Sequence, residues 1–507
     1  MINIYNPNIT KYSESAINAI QTGWISNHGE YIEKSTNKLK EILGSKYCIL
    51  MANGTCATHC LFLSIQYKYP HINKIYVSNN SYVAAYNSAL MVYQIEVMKM
   101  NNKTWNICTE EEYIMSLDTN SAILIVHNLG NIINVPRLKK IRPDIILVED
   151  NCEGIFGKYN DLYSGTSEDS LCSSMSFYGN KIITTGEGGA FLTQHSDVYD
   201  YIKRVYSQGM SNIRYLHDVL AYNYRMTNIE AAFLYDQLND ITNILDLKRK
   251  VFENYESLLE PWTEKGIIKT FDKEEKTYSA DWIFAIRIVG NMKSIEETTL
   301  FFNNLGMDIR PFFYPINKHL HLSGIKIKDP DPIPEILNKE IIMIPSSPLI
   351  TLEEQQKVVD AVEEFIMYNA NIKIVPITDV NIDILRDFIK PIDSDYFRYY
   401  NNRKEDCIRD HVVTFLFYDI IENTYFGYTH IDYELKTNQN WFGIYLHESY
   451  RGKKLGVLLL NYTINKCRKN IIHLSVDIDN ISAIKLYEKN GFILESVKNN
   501  VCYMQKK

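Results

Sequence analysis

The sequence has few of the features that mark secreted, metal-binding or nucleic-acid-binding proteins. Its nine cysteines are scattered through 507 residues, and no two form a CxxC pair. That spacing argues against a disulfide scaffold and a zinc site, so we predict reduced thiols and no bound metal. The formal net charge is −8. Because no basic stripe with interleaved aromatic residues is present, we expect no nucleic-acid partner.

Long apolar runs are also missing. No stretch reaches the length of about 20 residues that a transmembrane helix needs. The opening MINIYNPNITKY has neither the charged nor the apolar region of a signal peptide. We therefore expect a cytoplasmic protein without a membrane partner. With 46% hydrophobic and 22% charged residues, the chain has the composition of a globular protein and the length for two or three cores.

The most informative segment is SFYGNKIITTGEGGAFLT, residues 176–193. It places Lys181 between Ser176 and a glycine-rich turn at 186–189. A lysine amine that is held and desolvated can attack a carbonyl, and the commonest such use is an imine with pyridoxal phosphate. The glycines would let the backbone pass close to the cofactor before the strand AFLT. Taken alone, the segment also fits an exposed lysine in a glycine loop.

Two segments nearer the N-terminus suit the same cofactor. In MANGTCATHCLFLSI, the residues Asn53, Gly54 and Thr55 precede an apolar helical run. Free backbone N–H groups and a hydroxyl at a helix N-terminus suit a phosphate, although an ordinary helix cap has the same pattern. In SNNSYVAAYNSAL, Tyr82 follows the strand KIYVSN and can lie against a cofactor ring, although aromatic residues are more often core.

A further segment, DIILVEDNCEG, is typical of a buried parallel strand. It ends in Glu149 and Asp150, at the strand end where ligands of open α/β sheets bind. A carboxylate there can keep a pyridine nitrogen protonated, which makes the ring an electron sink. The alternative is that Asp150 only caps the next helix.

In this order, the segments resemble the DegT/DnrJ/EryC1/StrS family of sugar aminotransferases, from about Ile4 to about Tyr368. The matching blocks are GWISNHGEY, NGTCATH, SYVAAYNS, HNLG, VEDNCEG, SFYGNKIITTGEGG, YNYRMTNIEAA and IRPFFYPI. The resemblance implies the α/β fold of the fold type I aminotransferases, with a large mixed-sheet domain and a small α/β domain. It also implies pyridoxal phosphate as cofactor and a homodimer or larger assembly with shared active sites.

The resemblance also implies roles for individual residues. Lys181 is expected to bond to the cofactor and to shuttle the proton, and Asp150 to pair with the pyridinium nitrogen. One branch of the family performs 3-dehydration with histidine in place of the lysine, and Lys181 argues against that branch. The other expected roles are phosphate contacts for Gly54, Thr55 and Ser176, ring stacking for Tyr82, a place near the phenolic oxygen for Glu153, the neighbouring subunit's phosphate for Asn223, and substrate contacts for Arg225, Arg310 and Tyr314.

After residue 370 enough chain remains for one more domain. WFGIYLHESYRGKKLGVLLLNYTINKC predicts a strand, a basic turn at Arg451 and Gly452, and an apolar helix, which together form an anion cradle. LSVDIDNISAIKLYEKNGFI predicts a strand, a turn with Asn480, a helix carrying Tyr487 and a stop at Gly491. Each segment alone also fits a generic βα unit.

Together these two segments resemble the GNAT N-acetyltransferase family over about Ile372 to Met504. The resemblance implies that Tyr487 is the general acid that protonates the departing thiolate. It departs from the family at Lys454, where a glycine is usual, and this change is expected to weaken or reshape the backbone cradle. We predict an aminotransferase domain at 1–369 and a GNAT domain at 372–507. The residues expected to contact acetyl-CoA are Arg451, Gly452, Lys453, Lys454, Gly456 and Asn480.

A general base is also required, because only the free amine attacks a thioester. His430, Asp432, His447 and Glu448 lie on or near predicted strands. We select His447 as the first residue to test, although a histidine at a strand end is also typical of a structural role.

The domain pair predicts two consecutive reactions. The first moves an amino group, with L-glutamate as the expected donor, to the keto group of a nucleotide-linked sugar. The second acetylates the new amine from acetyl-CoA. We expect a UDP-linked 4-keto-6-deoxy hexose, on a route to either diacetylated bacillosamine or N-acetylated viosamine. The alternatives are a GDP-linked sugar as in perosamine synthesis, which motifs near Trp24, Ser26 and His28 also resemble, a degenerate second domain, or a binding protein that lost the chemistry.

Overall fold

The chain folds into two units, which divide inside a long helix. The computed structural model describes all residues except 326, 329, 393–407, 409, 468, 470 and 507. The units are Met1–Val359 and Asp360–Lys507. Their division falls within the helix Leu352–Asn369, whereas the sequence places the boundary after that helix. The domain limits 1–369 and 372–507 stay a prediction.

Strands and helices alternate along the first unit. Its strands are β1 (Tyr47–Met51), β2 (Lys74–Val77), β3 (Gln94–Val97), β4 (Ser121–Val126), β5 (Ile146–Asp150), β6 (Lys158–Tyr159), β7 (Leu162–Tyr163), β8 (Ser173–Ser176), β9 (Gly189–Thr193), β10 (Ile268–Lys269), β11 (Thr277–Tyr278), β12 (Ala285–Ile288), β13 (Arg310–Pro311) and β14 (Ile341–Met343). Its helices are α1 (Glu14–Thr22), α2 (Glu30–Leu43), α3 (Gly54–Lys68), α4 (Val83–Leu90), α5 (Glu111–Met115), α6 (Val135–Ile141), α7 (Ser196–Val205), α8 (Asn228–Asn239), α9 (Ile241–Thr263), α10 (Ile295–Asn304), α11 (Ile333–Glu340) and α12 (Leu352–Asn369), which crosses the division.

The main sheet of this unit is mixed and has the strand order β1-β9-β8-β5-β4-β2-β3. β9 runs antiparallel to both β1 and β8, and the other neighbouring pairs are parallel. The predicted buried parallel strand is confirmed, because β5 lies between β4 and β8 and parallel to both. Since β9 separates β1 from β8, the strands β1, β8 and β5 all run in the same direction. Their carboxyl ends therefore meet at one edge, where ligands of such sheets bind.

Helix α3 carries the residues that follow β1 away from this edge. It begins at Gly54 because Asn53 caps it, with Asn53 Oδ1 accepting the backbone N–H of Cys56 at 2.9 Å. The helix is apolar on most of its faces and packs against β8, β9 and α7. This packing fixes its N-terminus beside the ends of β5 and β8.

The second unit contains one sheet of seven strands with the order β15-β16-β17-β18-β19-β21-β20. β18 and β19 are parallel and, within the part of the chain that the structure describes, pair at Trp441 and His473 alone, whereas the other neighbours are antiparallel. The strands are β15 (Ile372–Pro376), β16 (His411–Asp419), β17 (Thr424–Glu434), β18 (Gln439–Leu446), β19 (Ile472–Asp477), β20 (Ile493–Lys498) and β21 (Val501–Lys506). The helices in the described part of this unit are α13 (Ile382–Ile389), α14 (Leu455–Cys467) and α15 (Ile481–Glu488).

Both units therefore have the α/β architecture that the sequence predicts. Within the described residues, no helix has the combination of length and apolar character that spanning a membrane requires.

Candidate active sites

Two adjacent carboxylates end β5, and they have different surroundings because neighbouring strand residues point to opposite faces. Glu149 is fully buried, with Oε2 at 3.0 Å from His127 Nε2 and accepting the backbone N–H of Gly165 at 2.9 Å. Asp150 Oδ1 accepts the backbone N–H of Cys152 at 3.1 Å. Asp150 thus caps the turn that follows β5. It also lies at the strand end where the partner of a pyridinium nitrogen is predicted.

The first turn of α3 meets the end of β8 in a donor set suited to a phosphate. A Cβ at Gly54 would lie only 2.7 Å from Ser176 Cβ, so the glycine permits this close contact. Thr55 is exposed in the same turn. The free N–H groups at the start of this 15-residue helix and the two hydroxyls can surround one anion.

The glycine-rich turn at 186–189 packs against Asn53, at the N-terminus of α3. Gly188 has a φ of +128°, which side chains rarely adopt, and it forms a bridge with Asn53. A Cβ at Gly189 would lie 2.6 Å from the Asn53 carbonyl carbon. The close approach observed is thus to the Asn53 backbone, and the predicted approach to a cofactor stays a prediction. β9 begins directly at Gly189, as the sequence predicts.

Lys181 is buried, which excludes the alternative of an exposed lysine in a glycine loop. Its Nζ lies 3.9 Å from Glu153 Oε1 and 3.9 Å from the centre of the Trp282 ring. Burial raises the pKa of Glu153 to about 7, and the Lys181 charge opposes that rise. Glu153 Oε2 accepts the backbone N–H of Leu129 at 2.8 Å. The amine therefore sits in a largely desolvated space between an acid and an aromatic face.

Trp282 is a site residue that the sequence reasoning missed. Its indole Nε1 donates to the backbone carbonyl of Asn180 at 2.8 Å, which fixes the ring beneath Lys181. The residue lies far along the chain in SADWIFAI, a segment without a chemical motif. No local signal could have found it, because only tertiary packing brings it to the lysine.

Tyr82 and Tyr314 belong to neighbouring segments. Tyr82 is 61% exposed and immediately precedes α4, and its ring lies 6.4 Å from that of Phe313. The segment after Tyr314 is held by a bridge between Pro315 and Asn80. The structure thus brings the segments of the predicted stacking residue and of a predicted substrate residue together, and the roles of both residues stay predictions.

Asn223 and Arg225 lie beside the end of β1 in space, whereas Arg310 lies on β13. Ala52 donates its backbone N–H to the Tyr224 carbonyl at 2.8 Å, and Arg225 Nε donates to Asn223 Oδ1 at 3.1 Å. Arg310 is exposed on β13 and pairs with Asp308. Within the described residues, no hydrogen bond or ion pair joins Arg310 to the group around Lys181. The roles of these three residues stay predictions.

These surroundings fit pyridoxal phosphate. One edge of the sheet presents a desolvated amine at Lys181, a carboxylate at Asp150 and an anion-binding turn at Gly54 and Ser176. These are the three kinds of group that such a cofactor needs for its aldehyde, its ring nitrogen and its phosphate.

The second unit contains the predicted strand, basic loop and helix between β18 and α14. Arg451 Nε donates to the Leu446 carbonyl at 3.0 Å, and Gly452 has a φ of +77°. Lys454 has a φ of +62°, so it keeps the left-handed backbone that favours glycine. The lysine therefore bears a strain of roughly 1–2 kcal/mol, and the weakening or reshaping of the cradle stays a prediction. Lys453 and Lys454 are exposed, and Gly456 lies in the first turn of α14.

Asn480 immediately precedes α15, and Tyr487 lies within that helix. Asn480 Oδ1 caps the helix by accepting the backbone N–H of Ala483 at 3.3 Å. Tyr487 is 7% exposed, and its burial raises the pKa of the phenol above the ordinary value. The hydroxyl therefore keeps its proton at neutral pH, which a general acid requires.

His447 is exposed and caps a short 3₁₀ helix, Glu448–Tyr450. Its Nδ1 lies 2.7 Å from Ser449 Oγ and accepts the backbone N–H of the same serine at 3.4 Å. His447 Nδ1 thus caps a helix, which is the kind of structural role that the sequence also allowed for this histidine. The other candidates, His430 and Asp432, lie on β17.

Comparison with known proteins agrees with this geometry. The model of the DegT/DnrJ/EryC1/StrS aminotransferase family matches residues 8–363, and that of the acetyltransferase (GNAT) family matches residues 379–492. A GDP-perosamine synthase of Escherichia coli O157:H7 is 28% identical over 372 residues, covering 72% of this chain and 98% of the relative. A GDP-perosamine synthase of Vibrio cholerae is 27% identical, covering 72% and 99%.

A solved structure shares the fold of the first unit. It is the E. coli GDP-4-keto-6-deoxy-D-mannose-3-dehydratase with bound hydrated pyridoxal phosphate, with a TM-score of 0.65 and 19% identity over 71% of this chain and 99% of the other. The first unit thus has the fold type I architecture, its cofactor is pyridoxal phosphate, and the GNAT domain uses acetyl-CoA. The chain belongs to the DegT/DnrJ/EryC1/StrS aminotransferase family and carries a GNAT acetyltransferase domain after it.

Proposed function

We propose that this enzyme converts a GDP-linked 4-keto-6-deoxy hexose to its 4-amino sugar and then acetylates the new amine. L-glutamate donates the amino group and acetyl-CoA donates the acetyl group. The perosamine-type substrate is supported by two GDP-perosamine synthases that align with this chain over 98% and 99% of their lengths. The first activity is assigned to residues 1–369 and the second to residues 372–507, and the first domain is expected to act as a homodimer.

The observation that carries the proposal is the buried Lys181. Two of the relatives are GDP-4-keto-6-deoxy-D-mannose 3-dehydratases, 25% identical to this chain. The branch of this family that performs 3-dehydration has histidine at the position of this lysine. A lysine amine that lies between Glu153 and Trp282 instead supports amino transfer, because it can both bond to the cofactor and move a proton.

Each residue of the first site has a distinct task in this account. Pyridoxal phosphate, when bound, supplies an electron sink and carries the amino group between donor and sugar. Asp150 holds the ring-nitrogen proton, and Gly54, Thr55 and Ser176 bind the phosphate. Lys181 Nζ moves the proton at C4 of the sugar. Trp282 and Glu153 exclude water from the space around that amine. The neutral form of Glu153 places no carboxylate charge beside it.

The second site acts on the amine that the first site makes. The 447–454 loop and the start of α14 bind the pyrophosphate of acetyl-CoA, and Tyr487 gives a proton to the departing sulfur. Because both sites belong to one chain, the amine is made on the molecule that carries its acceptor site, and the fusion would raise its local supply.

A mass-spectrometric product assay tests the substrate. The full-length protein is mixed with pyridoxal phosphate, L-glutamate and one of three sugars: GDP-4-keto-6-deoxymannose, UDP-4-keto-6-deoxyglucose or its 2-acetamido counterpart. Each mixture is run with and without acetyl-CoA. We expect amination of the GDP sugar at a kcat/KM at least tenfold above that of either UDP sugar, and acetylation only when acetyl-CoA is present.

The two UDP sugars represent the interpretation that the sequence alone favoured. A higher kcat/KM with either of them would overturn the GDP assignment and leave the aminotransferase in place. An amino sugar that stays unacetylated would overturn the second step. Loss of the 3-hydroxyl without amination would show the dehydrating branch of the family and overturn the first step.

A further inference from the structure

A cluster of two histidines and one aspartate, His411, His430 and Asp432, lies across β16 and β17. His411 Nε2 lies 2.9 Å from Asp432 Oδ1, and His430 Nε2 lies 3.6 Å from the same oxygen. The two imidazoles stack with their centres 4.5 Å apart and their planes 6° from parallel. Sequence reasoning found His430 and Asp432 but not His411, because only the pairing of β16 with β17 joins them.

Hydroxyl groups fix the rotation of both rings. His411 Nδ1 lies 2.6 Å from Thr414 Oγ1, and His430 Nδ1 lies 2.7 Å from the Tyr428 hydroxyl. With each Nδ1 held in this way, both Nε2 atoms face Asp432. At 2.9 Å from the carboxylate, His411 Nε2 carries a hydrogen and presents it to Asp432. The Asp432 carboxylate and the Nε2 of His430 can both accept, and together they favour a cation carrying N–H donors, such as an alkylammonium.

The cluster lies on the face of the sheet opposite to α14. Thr429 Oγ1 lies 2.5 Å from Thr463 Oγ1 of that helix, so the next residue, His430, points to the other face. On that face, Tyr428 packs with Leu385 and Ile389 of α13. A ligand that reaches His430 therefore approaches from the side opposite to the helix that follows the 447–454 loop.

His430 lies where β18 and β19 begin to separate. It pairs with Gly443 of β18, two residues beyond Trp441. Among the described residues, Trp441 forms the single pair that joins β18 to β19. A Cβ at Gly443 would lie 2.1 Å from His430 Cε1, so the imidazole lies directly over the strand and requires the glycine. From this point β18 leads into the loop that is proposed to bind acetyl-CoA.

We propose that His430 is the general base of the acetyl transfer and that Asp432 holds the ammonium group of the sugar beside it. The inference rests on the proposed acetylation and adds its acceptor site. Asp432 supplies the negative charge that attracts the cation, and His411 fixes that carboxylate. This assignment replaces His447 as the first base to test.

The step balances as follows. The 4-ammonium group gives one proton to His430, and the freed lone pair attacks the acetyl carbon, forming the N–C bond. The C–S bond breaks, and the thiolate of coenzyme A takes a proton from Tyr487. The nitrogen then loses its second proton, which restores Tyr487, and His430 releases the first proton to water.

The test supplies a ready-made 4-amino sugar, GDP-linked or UDP-linked, so that the amination step is bypassed. The full-length protein is compared with His430→Ala by thiol release from acetyl-CoA. We expect a fall in kcat of about 10²–10⁴-fold. Acetyl-CoA affinity and amination of the keto sugar by the same variant should change less than twofold. Added imidazole should restore part of the lost kcat, which a structural role would not produce.

Three further variants make the result specific. Asp432→Asn should raise KM for the amine more than it lowers kcat, because it removes the charge that holds the ammonium group. His473→Gln, in the same sheet, serves as the matched histidine control and should stay within twofold of the parent. His447→Gln tests the rival base.

The proposal is overturned if His430→Ala keeps more than half of the parent kcat, or if the large loss appears in His447→Gln and not in His430→Ala. It is also overturned if a chelator abolishes acetylation and zinc restores it, because the cluster would then bind a metal. If the unmodified protein acetylates neither amino sugar, the proposed second step itself fails. That result is distinct, because it appears without any substitution.

Discussion

Glu153 Oε1 lies 3.9 Å from Lys181 Nζ, in a space where the glutamate side chain is 6% exposed and the lysine side chain 11%. Burial disfavours the carboxylate, and the lysine charge favours it. The balance raises the pKa of Glu153 to about 7. The acid thus titrates near neutrality beside the amine that the proposed chemistry requires.

Replacing this amine should separate the two activities. Lys181→Ala is expected to abolish amination and the yellow colour of the purified protein, because no lysine remains to bond to the cofactor. Acetylation of a supplied 4-amino sugar should be unchanged. Lys203→Ala, an exposed lysine of α7, is the matched control and should keep both activities. Retained amination in Lys181→Ala would contradict the assignment.

The Glu153 pKa predicts how stability depends on pH. Since the folded pKa of about 7 lies above the ordinary 4.5, the folded state binds more protons between these values, and the free energy of unfolding of the cofactor-free protein falls as pH rises through that window. The fall is roughly 3 kcal/mol at most. Glu153→Gln should remove it, as denaturant titrations at pH 4.5 and 8 would measure. An equal pH dependence in parent and variant would show that Glu153 does not carry it.

Trp282 should affect the rate of amination more than cofactor binding. Trp282→Phe keeps an aromatic face below Lys181, whereas Trp282→Leu removes it. A cation–π contact of about 1 kcal/mol corresponds to roughly a fivefold lower amination rate in the leucine variant than in the phenylalanine variant. Steady-state kinetics with saturating pyridoxal phosphate would measure the ratio. Equal rates would show that the aromatic face has no catalytic effect.

A second buried lysine supports Trp282 from the backbone side. Lys248 Nζ donates to the carbonyls of Trp282 at 2.8 Å and Ser346 at 2.5 Å, and burial lowers the pKa of its amine to about 7. Because the unfolded state binds more protons between pH 7 and 10.5, the free energy of unfolding should rise with pH through that window. Lys248→Met should lose this rise and, by leaving two buried carbonyls unpaired, lower stability by roughly 2–4 kcal/mol. Thermal unfolding at pH 7 and 9 checks both effects.

The left-handed backbone at Lys454 can be tested with two variants. Lys454→Ala removes the charge and keeps the Cβ, whereas Lys454→Gly removes both. We expect the glycine variant to be more stable than the alanine variant by about 1 kcal/mol, since only glycine relieves the φ of +62°. Acetyl-CoA affinity should fall equally in both, because each loses one positive charge. An alanine variant as stable as the glycine variant would contradict the strain.

Residues that act within one continuous segment could be predicted from the sequence. Gly54 begins α3, Ser176 ends β8, and Lys181 lies in the loop between β8 and β9, where local pattern is informative. Their meeting at one edge followed from the parallel direction of β1, β8 and β5. The α/β architecture and the family were therefore accessible from motifs and their order.

Contacts between distant segments could not be predicted in this way. Trp282 reaches Lys181 only through packing of the segment before β12 against the loop at Asn180. His411 reaches His430 through a strand register that is shifted between His411 and Val413, and sequence periodicity does not reveal such a shift.

The most direct test of the central claim uses two isotopes in one reaction. The full-length protein is given GDP-4-keto-6-deoxymannose, ¹⁵N-labelled L-glutamate and ¹³C-labelled acetyl-CoA, and the nucleotide sugar is analysed by mass spectrometry. The account predicts one product that carries both labels in a single acetamido group, and its absence with Lys181→Ala. A sugar that carries ¹⁵N without ¹³C, or neither label, would contradict the proposal that this chain both makes and acetylates the amine.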